Sequence, residues 1–285
     1  MNRKVKIALV QMSMGSSQKA NLQKALKYIK EAAQAGAQIV ALPELFLGHY
    51  FPQEEHDESA RKWVQAIPGL LTEQLGKVAR EHKIMIIGGS VYEVDRGKHY
   101  NTSFVIDSDG RFLGKYRKVH IPRDPSFYEQ NYFAVGNLGF PVFETEQGKI
   151  AVLVCYDQWF PEAARCMALD GADIIFYPTA IGFVAGIQPT EGDWIDAWVT
   201  VQRGHGISNG IHIAAINRIG EEGEMTFFGN SFVSGPFGTV LARGSQTKEE
   251  IIYATLDLSK NQEVKKGWRF LDSRRPDQYK ELCQK

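Results

Sequence analysis

Cys155 closes the apolar run Ile150-Ala151-Val152-Leu153-Val154 and is followed by Tyr156-Asp157-Gln158-Trp159-Phe160-Pro161-Glu162. A thiol at a strand end, just before a turn into a helix, is placed to face a cleft with backbone N–H groups beside it, which is where a nucleophile belongs. An isolated cysteine is more often a small buried apolar residue, so its company decides. Glu44, in Pro43-Glu44-Leu45-Phe46, ends another apolar run. A carboxylate buried there is costly unless paired, so it either serves a network or acts as a base. Lys118, in Lys115-Tyr116-Arg117-Lys118-Val119-His120-Ile121-Pro122, also follows a strand-like segment, and alone it reads as a solvated basic edge. Glu129 stands among aromatics in Phe127-Tyr128-Glu129-Gln130-Asn131-Tyr132-Phe133, an unusual setting for an exposed loop acid.

The elements that must position these residues alternate along the chain. Val5 to Met12 reads as a strand. Leu22, Ala25, Leu26, Ile29 and Ala33 then recur at helical spacing, with Gly36 placed to end the helix. Gln38 to Leu42 is a strand stopped by Pro43, Thr72 to His82 a helix, and Ile84 to Ile87 a buried strand. Tyr100 to Asp107 and Phe112 to Tyr116 form a hairpin across Ser108-Asp109-Gly110. The second half repeats this grammar: strand Lys149 to Cys155, helix Glu162 to Leu169, strand Asp173 to Tyr177, helix Asp193 to Ser208, strand Ile211 to Asn217. Ser231 to Val233 and Thr239 to Ala242 flank Gly235-Pro236-Phe237-Gly238, and a last strand covers Ile251 to Leu256. Residues 1–260 read as one α/β domain. Residues 261–285 read as a charged tail whose Trp268, Phe270 and Tyr279 dock on the domain or on a neighbouring subunit.

Composition narrows the function classes. Of 285 residues, 33 are Lys or Arg and 33 Asp or Glu, so the basic surplus that non-specific nucleic-acid binding requires is missing. No apolar run is long enough to span a bilayer. Cys155, Cys166 and Cys283 form no Cys-x-x-Cys pair, which argues against structural zinc and for free thiols in a reducing compartment. With no secretory h-region after Met1, the expected location is the cytoplasm. No Gly-x-Gly-x-x-Gly follows the first strand, so a Rossmann nucleotide site is not expected.

Taken together, the segments around Glu44, Lys118 and Cys155 resemble, in order, the three motifs of the nitrilase, or carbon-nitrogen hydrolase, superfamily. The resemblance runs from Ile7 to the Gly235–Gly238 turn. It implies a four-layer αββα sandwich, with Glu44 as general base, Lys118 as catalytic lysine, Cys155 as nucleophile and Glu129 as supporting carboxylate. These types suit the chemistry. A free thiol ionises near about pH 8.5, so it needs a base or a positive field, which Glu44 and Lys118 would supply. Lys118 and the backbone N–H of Tyr156 are the natural oxyanion donors, each worth roughly 3 kcal/mol. Glu44 then protonates the leaving amine and activates water against the thioester. No metal or cofactor is required.

The stretches Cys155 to Arg165, Tyr177 to Gly182, Asn217 to Gly220, Phe228 to Phe232 and Asp272 to Asp277 are most similar to the branch that hydrolyses N-carbamoylputrescine to putrescine, carbon dioxide and ammonia. The alternative within the family is a carboxylate-bearing substrate, N-carbamoyl-β-alanine or an ω-amide, which Arg123 would suit. A non-catalytic binding protein on the same fold is opposed by the intact Glu44, Lys118 and Cys155. Tyr50, His120, Tyr128, Trp159, Glu191 and Asp193 are the candidate substrate contacts. Glu191, Asp193 and Asp196 would attract an ammonium, or else simply form a helix's first turn. Asp157, Glu162 and Arg165 read as a local ion-pair and capping network, and Cys166 as core. A small-molecule substrate and a homodimer, or larger homo-oligomer, are expected.

Overall fold

The structure is a computed structural model that describes residues 4–188 and 190–284. The first half runs β1 (Lys4–Gln11), α1 (Gln18–Gln34), β2 (Ile39–Ala41), α2 (Leu70–His82), β3 (Met85–Ile87), β4 (Val91–Asp95), β5 (Lys98–Ile106) and β6 (Phe112–Arg117). The second runs β7 (Val142–Thr145), β8 (Gly148–Val152), α3 (Pro161–Leu169), β9 (Ile174–Thr179), β10 (Gly182–Val184), α4 (Trp194–Asn209), β11 (His212–Asn217), β12 (Ile219–Glu222), β13 (Met225–Phe228), β14 (Phe232–Ser234), β15 (Val240–Arg243), β16 (Glu250–Asp257) and α5 (Ser259–Trp268).

Two large sheets share one plan. In the first, β1, β2 and β3 are parallel neighbours, with α1 and α2 as the crossovers, while β16 and β5 flank them antiparallel. In the second, β8, β9 and β11 are parallel, with α3 and α4 as crossovers, and β7 and β14 flank them antiparallel. A parallel pair needs a long crossover, and a helix of this length fills that role. β10, β13 and β12 form a small third sheet.

Side chains alternate across each strand, so each sheet has two apolar faces to bury. From β1 to β3, Ala8, Val10, Val40 and Ile86 pack against Ala25 and Ile29 of α1 and Leu75 and Ala79 of α2. The intervening Ile7, Leu9, Ile39, Met85 and Ile87 face Ile150, Val152, Ile174, Phe176, Ala214 and Ile216 of the second sheet. That sheet's outer face, with Leu153, Ile175 and Ala215, is covered by Ala164 and Met167 of α3 and Trp198 of α4. The layers are therefore helix, sheet, sheet, helix, as the family resemblance implies. Truncating one of the inter-sheet residues to Ala would cost about 2–5 kcal/mol, because both sheets are too stiff to close the cavity.

Local signals explain the boundaries. The Ser17 hydroxyl accepts from Ala20 N at 3.3 Å and caps α1. Gly110 turns the β5–β6 hairpin at φ +84°, and a Cβ there would lie 2.4 Å from the carbonyl oxygen of Gly76 in α2, so only glycine fits. β4, β7 and the three strands of the small sheet carry no period-two signal long enough to read from sequence. β8 ends at Val152, so Cys155 lies in a tight turn over Cys155–Trp159 rather than on the strand. The division at 260/261 falls inside α5, whose buried Asn261 donates to the Asp173 carbonyl at 2.9 Å. Cys166 is exposed, since α3 buries Ala163, Ala164, Met167 and Ala168 on its other face.

Candidate active site

Glu44, Cys155 and Arg218 each follow a parallel strand at its carboxyl end, where open α/β sheets gather their functional groups. After β2 the chain turns sharply: Leu45 takes φ +49°, its N–H donates to Ser90 Oγ at 3.0 Å, and the turn carries Glu44. Arg218, wholly buried, donates to the carbonyls of Glu44 (2.7 Å) and Leu45 (3.1 Å). Its other nitrogen pairs with Glu222 at 2.7 Å, and Glu222 in turn accepts the Tyr50 N–H at 2.6 Å. One clamp from the second half of the chain thus holds the loop that carries both Glu44 and Tyr50.

Cys155 sits at φ +46°, a left-handed conformation that a non-glycine residue adopts only when its surroundings impose it. Asp157 imposes it in part. Its buried carboxylate accepts from Val154 N (2.9 Å), the Tyr116 hydroxyl (2.8 Å), His120 N (3.0 Å) and His120 Nδ1 (2.7 Å). Asp157 therefore ties the cysteine turn to the segment after β6 that carries Lys118, rather than pairing with Glu162 and Arg165 as the sequence suggests. Arg165 instead donates to the Ser208 carbonyl at 3.0 Å.

Five wholly buried side chains meet beside the thiol. Lys118 Nζ lies 2.9 Å from Glu44 Oε1 and 2.7 and 2.8 Å from the two oxygens of Glu129. The Tyr50 hydroxyl donates to Glu129 Oε1 at 2.7 Å. Asn101 Nδ2 donates to Glu44 Oε1 at 2.7 Å and approaches Glu129 Oε2 at 3.4 Å. Lys118's own N–H donates to the Asn101 carbonyl at 2.9 Å. Among the described residues, Glu44 Oε2 is buried with no hydrogen-bond partner.

One ammonium serves two carboxylates, and the electrostatics follow. Burial pulls the Lys118 ammonium down, but Glu129 and Glu44 outweigh it and hold the group well above its ordinary value, so it stays charged. Burial pushes Glu129 up against the opposing pull of Lys118. Burial, then Glu44, push the Cys155 thiol well up, and Lys118 only partly offsets them. Lys118 acts in the expected direction but is outweighed, so the resting Cys155 is a thiol that needs an acceptor for its proton, the part expected of Glu44. Burial likewise keeps the Tyr50 phenol protonated, as a donor to Glu129.

Cys155 opens onto a cavity of about 610 Å³ walled by Phe127, Trp159, Ile181, Val184, Ile187 and Trp194, with Asp124 and Glu191 among its lining. Trp159 and Glu191 are among the candidate substrate contacts that line it. Four other candidates do not. Tyr50 is wholly buried behind the wall, spent on Glu129. His120 is stacked flat on Phe160, with ring centroids 3.7 Å apart, and held by Asp157. Tyr128 is half-buried away from the lining, and Asp193 caps α4 by accepting from Ile195 and Asp196 N–H groups. Arg123 is exposed and outside the lining. Asn101, Asp124, Asp157 and Arg218 escaped sequence reasoning as site residues, although Arg218, a charge two positions past the run Ile213–Ile216, carries much the same signal as Glu44, two positions past Leu42. Among the described residues, no cluster of His, Cys, Asp and Glu is suited to hold a metal.

A cysteine nucleophile on an αββα sandwich, buried beside a carboxylate–lysine–carboxylate cluster, defines a hydrolase of C–N bonds. The family model for carbon-nitrogen hydrolases matches residues 6–266. The chain is 40% identical over 290 residues to an N-carbamoylputrescine amidase of Solanum lycopersicum, covering 99% of this chain and 95% of that one. It is 36% identical over 287 residues to a citrullinase of Francisella tularensis, covering 99% of each. A carbon-nitrogen hydrolase from Helicobacter pylori G27 has the same fold, with a TM-score of 0.93 at 37% identity over 99% of both chains. A mutant amidase from Nesterenkonia sp. AN1, with the acetamide moiety of fluoroacetamide covalently added at its active-site cysteine, matches with a TM-score of 0.80 at 25% identity over 98% and 97%. This chain belongs to the carbon-nitrogen hydrolase family of the nitrilase superfamily, as a cysteine-dependent amidohydrolase that cleaves amide or carbamoyl C–N bonds.

Proposed function

We propose that the substrate is a linear ureido compound with a distal ammonium, N-carbamoylputrescine foremost, hydrolysed to putrescine, carbon dioxide and ammonia in polyamine biosynthesis. The observation that carries this reading is the cavity above Cys155. Its walls are apolar enough for a methylene chain, its two charged lining residues are Asp124 and Glu191, and neither Lys nor Arg is among its described lining residues. Glu191 is steadied by the Trp194 indole N–H at 3.2 Å. An acid of this kind favours a distal ammonium over a distal carboxylate by roughly ten- to hundredfold through one charge-assisted hydrogen bond. The identity to the tomato enzyme supports the same reading.

In the reaction, Cys155 Sγ attacks the ureido carbonyl carbon as its proton passes to Glu44, whose Oε2 has no competing partner among the described residues. Negative charge gathers on the carbonyl oxygen, stabilised by the Lys118 ammonium and the Tyr156 N–H. Collapse expels an amine that takes the proton back from Glu44 and leaves a carbamoyl thioester on Cys155. Water, deprotonated by Glu44, cleaves the thioester. The carbamic acid released breaks down to carbon dioxide and the second amine. Glu129 holds Lys118 in place and, with Glu44, keeps it charged.

The test is kcat/KM on a panel of N-carbamoylputrescine, N-carbamoyl-β-alanine, citrulline and glutamine, read by ammonia release. A preference for N-carbamoylputrescine that falls at least tenfold in Asp124→Asn or Glu191→Gln is expected. A preference for the carboxylate-bearing N-carbamoyl-β-alanine overturns the substrate and leaves the cysteine chemistry standing.

A further inference from the structure

Two buried polar atoms in the cluster lack partners among the described residues: Glu44 Oε2 and Asn101 Oδ1. They mark an asymmetry. Glu44 Oε1 accepts from both Lys118 (2.9 Å) and Asn101 (2.7 Å), whereas Oε2 accepts from none of the described residues. The amide nitrogen of Asn101 faces Glu44 on one side and Glu129 on the other, at 2.7 and 3.4 Å. Its backbone carbonyl receives the N–H of Lys118 at 2.9 Å. One residue in the middle of β5 therefore touches the acid, the second acid and the lysine.

We infer that Asn101 is a positioning residue for the base: its amide saturates Glu44 Oε1, leaves Oε2 as the oxygen that receives the thiol proton, and screens the two carboxylates from each other without adding charge. This rests on Glu44 acting as the base. The chemistry requires a neutral donor at this position. Two carboxylates this close repel, and a single ammonium offsets only one of them. A second cation would neutralise the cluster and weaken Glu44 as a proton acceptor. A carboxylate at the same place would put three acids around one lysine and force a proton onto the cluster. An amide lowers the repulsion through two N–H groups and leaves one net negative charge to be used in catalysis. The charged and titratable groups facing this cluster are Lys118, Glu129, Tyr50, Cys155 and, on the backbone of the Glu44 loop, Arg218.

The role separates from a merely structural one in the pH dependence of kcat. The base must be unprotonated, so kcat falls on the acid side, with a midpoint that belongs to the coupled cluster. Asn101→Asp adds a negative neighbour and Asn101→Ser removes donors from both acids; each change favours protonated carboxyls. Under saturating substrate the acid limb is expected to move up by about one pH unit in Asn101→Asp and by about half that in Asn101→Ser, with KM within threefold of wild type. Near-UV circular dichroism establishes that each variant is folded, and Asn101→Ser, which is smaller and uncharged, stands in if the Asp variant does not accumulate. A uniform loss of kcat with an unmoved acid limb overturns the proposal. Glu44→Gln is measured in parallel. If it keeps substantial turnover, Glu44 as base is wrong; if it is dead while the Asn101 limbs stay put, only the role of Asn101 is wrong.

Discussion

At the scale of single residues, the groups that were legible in the sequence are those that interrupt an apolar run at its end. Glu44 and Cys155 are legible because a charge or thiol placed there has no ordinary reason to be. Asn101 is illegible for the opposite reason. It opens the buried polar triplet Asn101-Thr102-Ser103 in β5, which in sequence looks like a strand's solvent face, and its partners lie 57 and 28 residues away. Tyr50 is a candidate pocket wall in the sequence because an aromatic near a strand end does either job; only the hydrogen bond to Glu129 assigns it. The residue on which the chemistry depends most is Cys155. Cys155→Ala is expected to abolish turnover, to below one part in about 10⁴ of wild type, since no other group can form the thioester. The protein should stay folded, because the exchange removes one sulfur atom next to an existing cavity. Cys166→Ala and Cys283→Ala, both at exposed positions, should leave ammonia release within twofold. Near-normal release from Cys155→Ala would end the assignment.

At the scale of elements, the long periodic segments were readable and the short ones were not. The β5–β6 hairpin follows from Asp109-Gly110, and α1 from its apolar spacing and Ser17 cap. β10, β12 and β13 are three or four residues each, and their pairing is decided by the loops around the cavity rather than by their own pattern. That small sheet matters because β12 supplies Glu222, the partner of Arg218. The pair fastens the loop after β2 to the strand end of β11, across 174 residues of sequence, through the Glu44 carbonyl. Arg218→Met leaves Glu222 as an uncompensated buried charge, a loss of about 3–5 kcal/mol, or roughly 10 °C in Tm for a chain of this size. Arg218→Lys keeps the charge but loses the fork that reaches two carbonyls and a carboxylate at once. It is expected to fold, with kcat reduced about tenfold or more and KM little changed, because the loop it holds carries the proposed base, Glu44, rather than the pocket wall. Thermal unfolding and steady-state kinetics check both statements, and an Arg218→Lys enzyme with wild-type kcat would show that the clamp does not position Glu44.

At the scale of the whole molecule, one α/β domain could be read from the alternation of strands and helices and its four layers from the family resemblance, but assembly and acid tolerance depend on surfaces and buried histidines that no pattern shows. Phe237, Trp268 and Phe270 stack in the open, with Trp268 58% exposed, and Val240 and Leu241 are exposed on the edge strand β15. We propose that a second copy covers them, so light scattering at micromolar concentration should give a multiple of 32.0 kDa, and a monomer mass would count against it. Acid tolerance is expected to depend on His212, at the start of β11 and 1% exposed, whose pKa burial pushes down to about 4. In the unfolded chain the same imidazole titrates near about 6.5, so between those values the unfolded state binds more protons and stability rises with pH. The contribution is fully present above about pH 6.5 and is lost as pH falls towards 4, amounting to about 3 kcal/mol for this one side chain. His205, on the buried face of α4 and also pushed down by burial, adds in the same direction. Denaturant unfolding at pH 7.5, 6.0 and 5.0 should therefore show a steep loss that flattens in His212→Gln, which carries no titrating group. Equal slopes in the two proteins would mean that His212 is protonated at no cost in the folded state, and that carboxylates such as Glu93, held low by Arg117 and Lys115 against the pull of burial, set the acid limit instead.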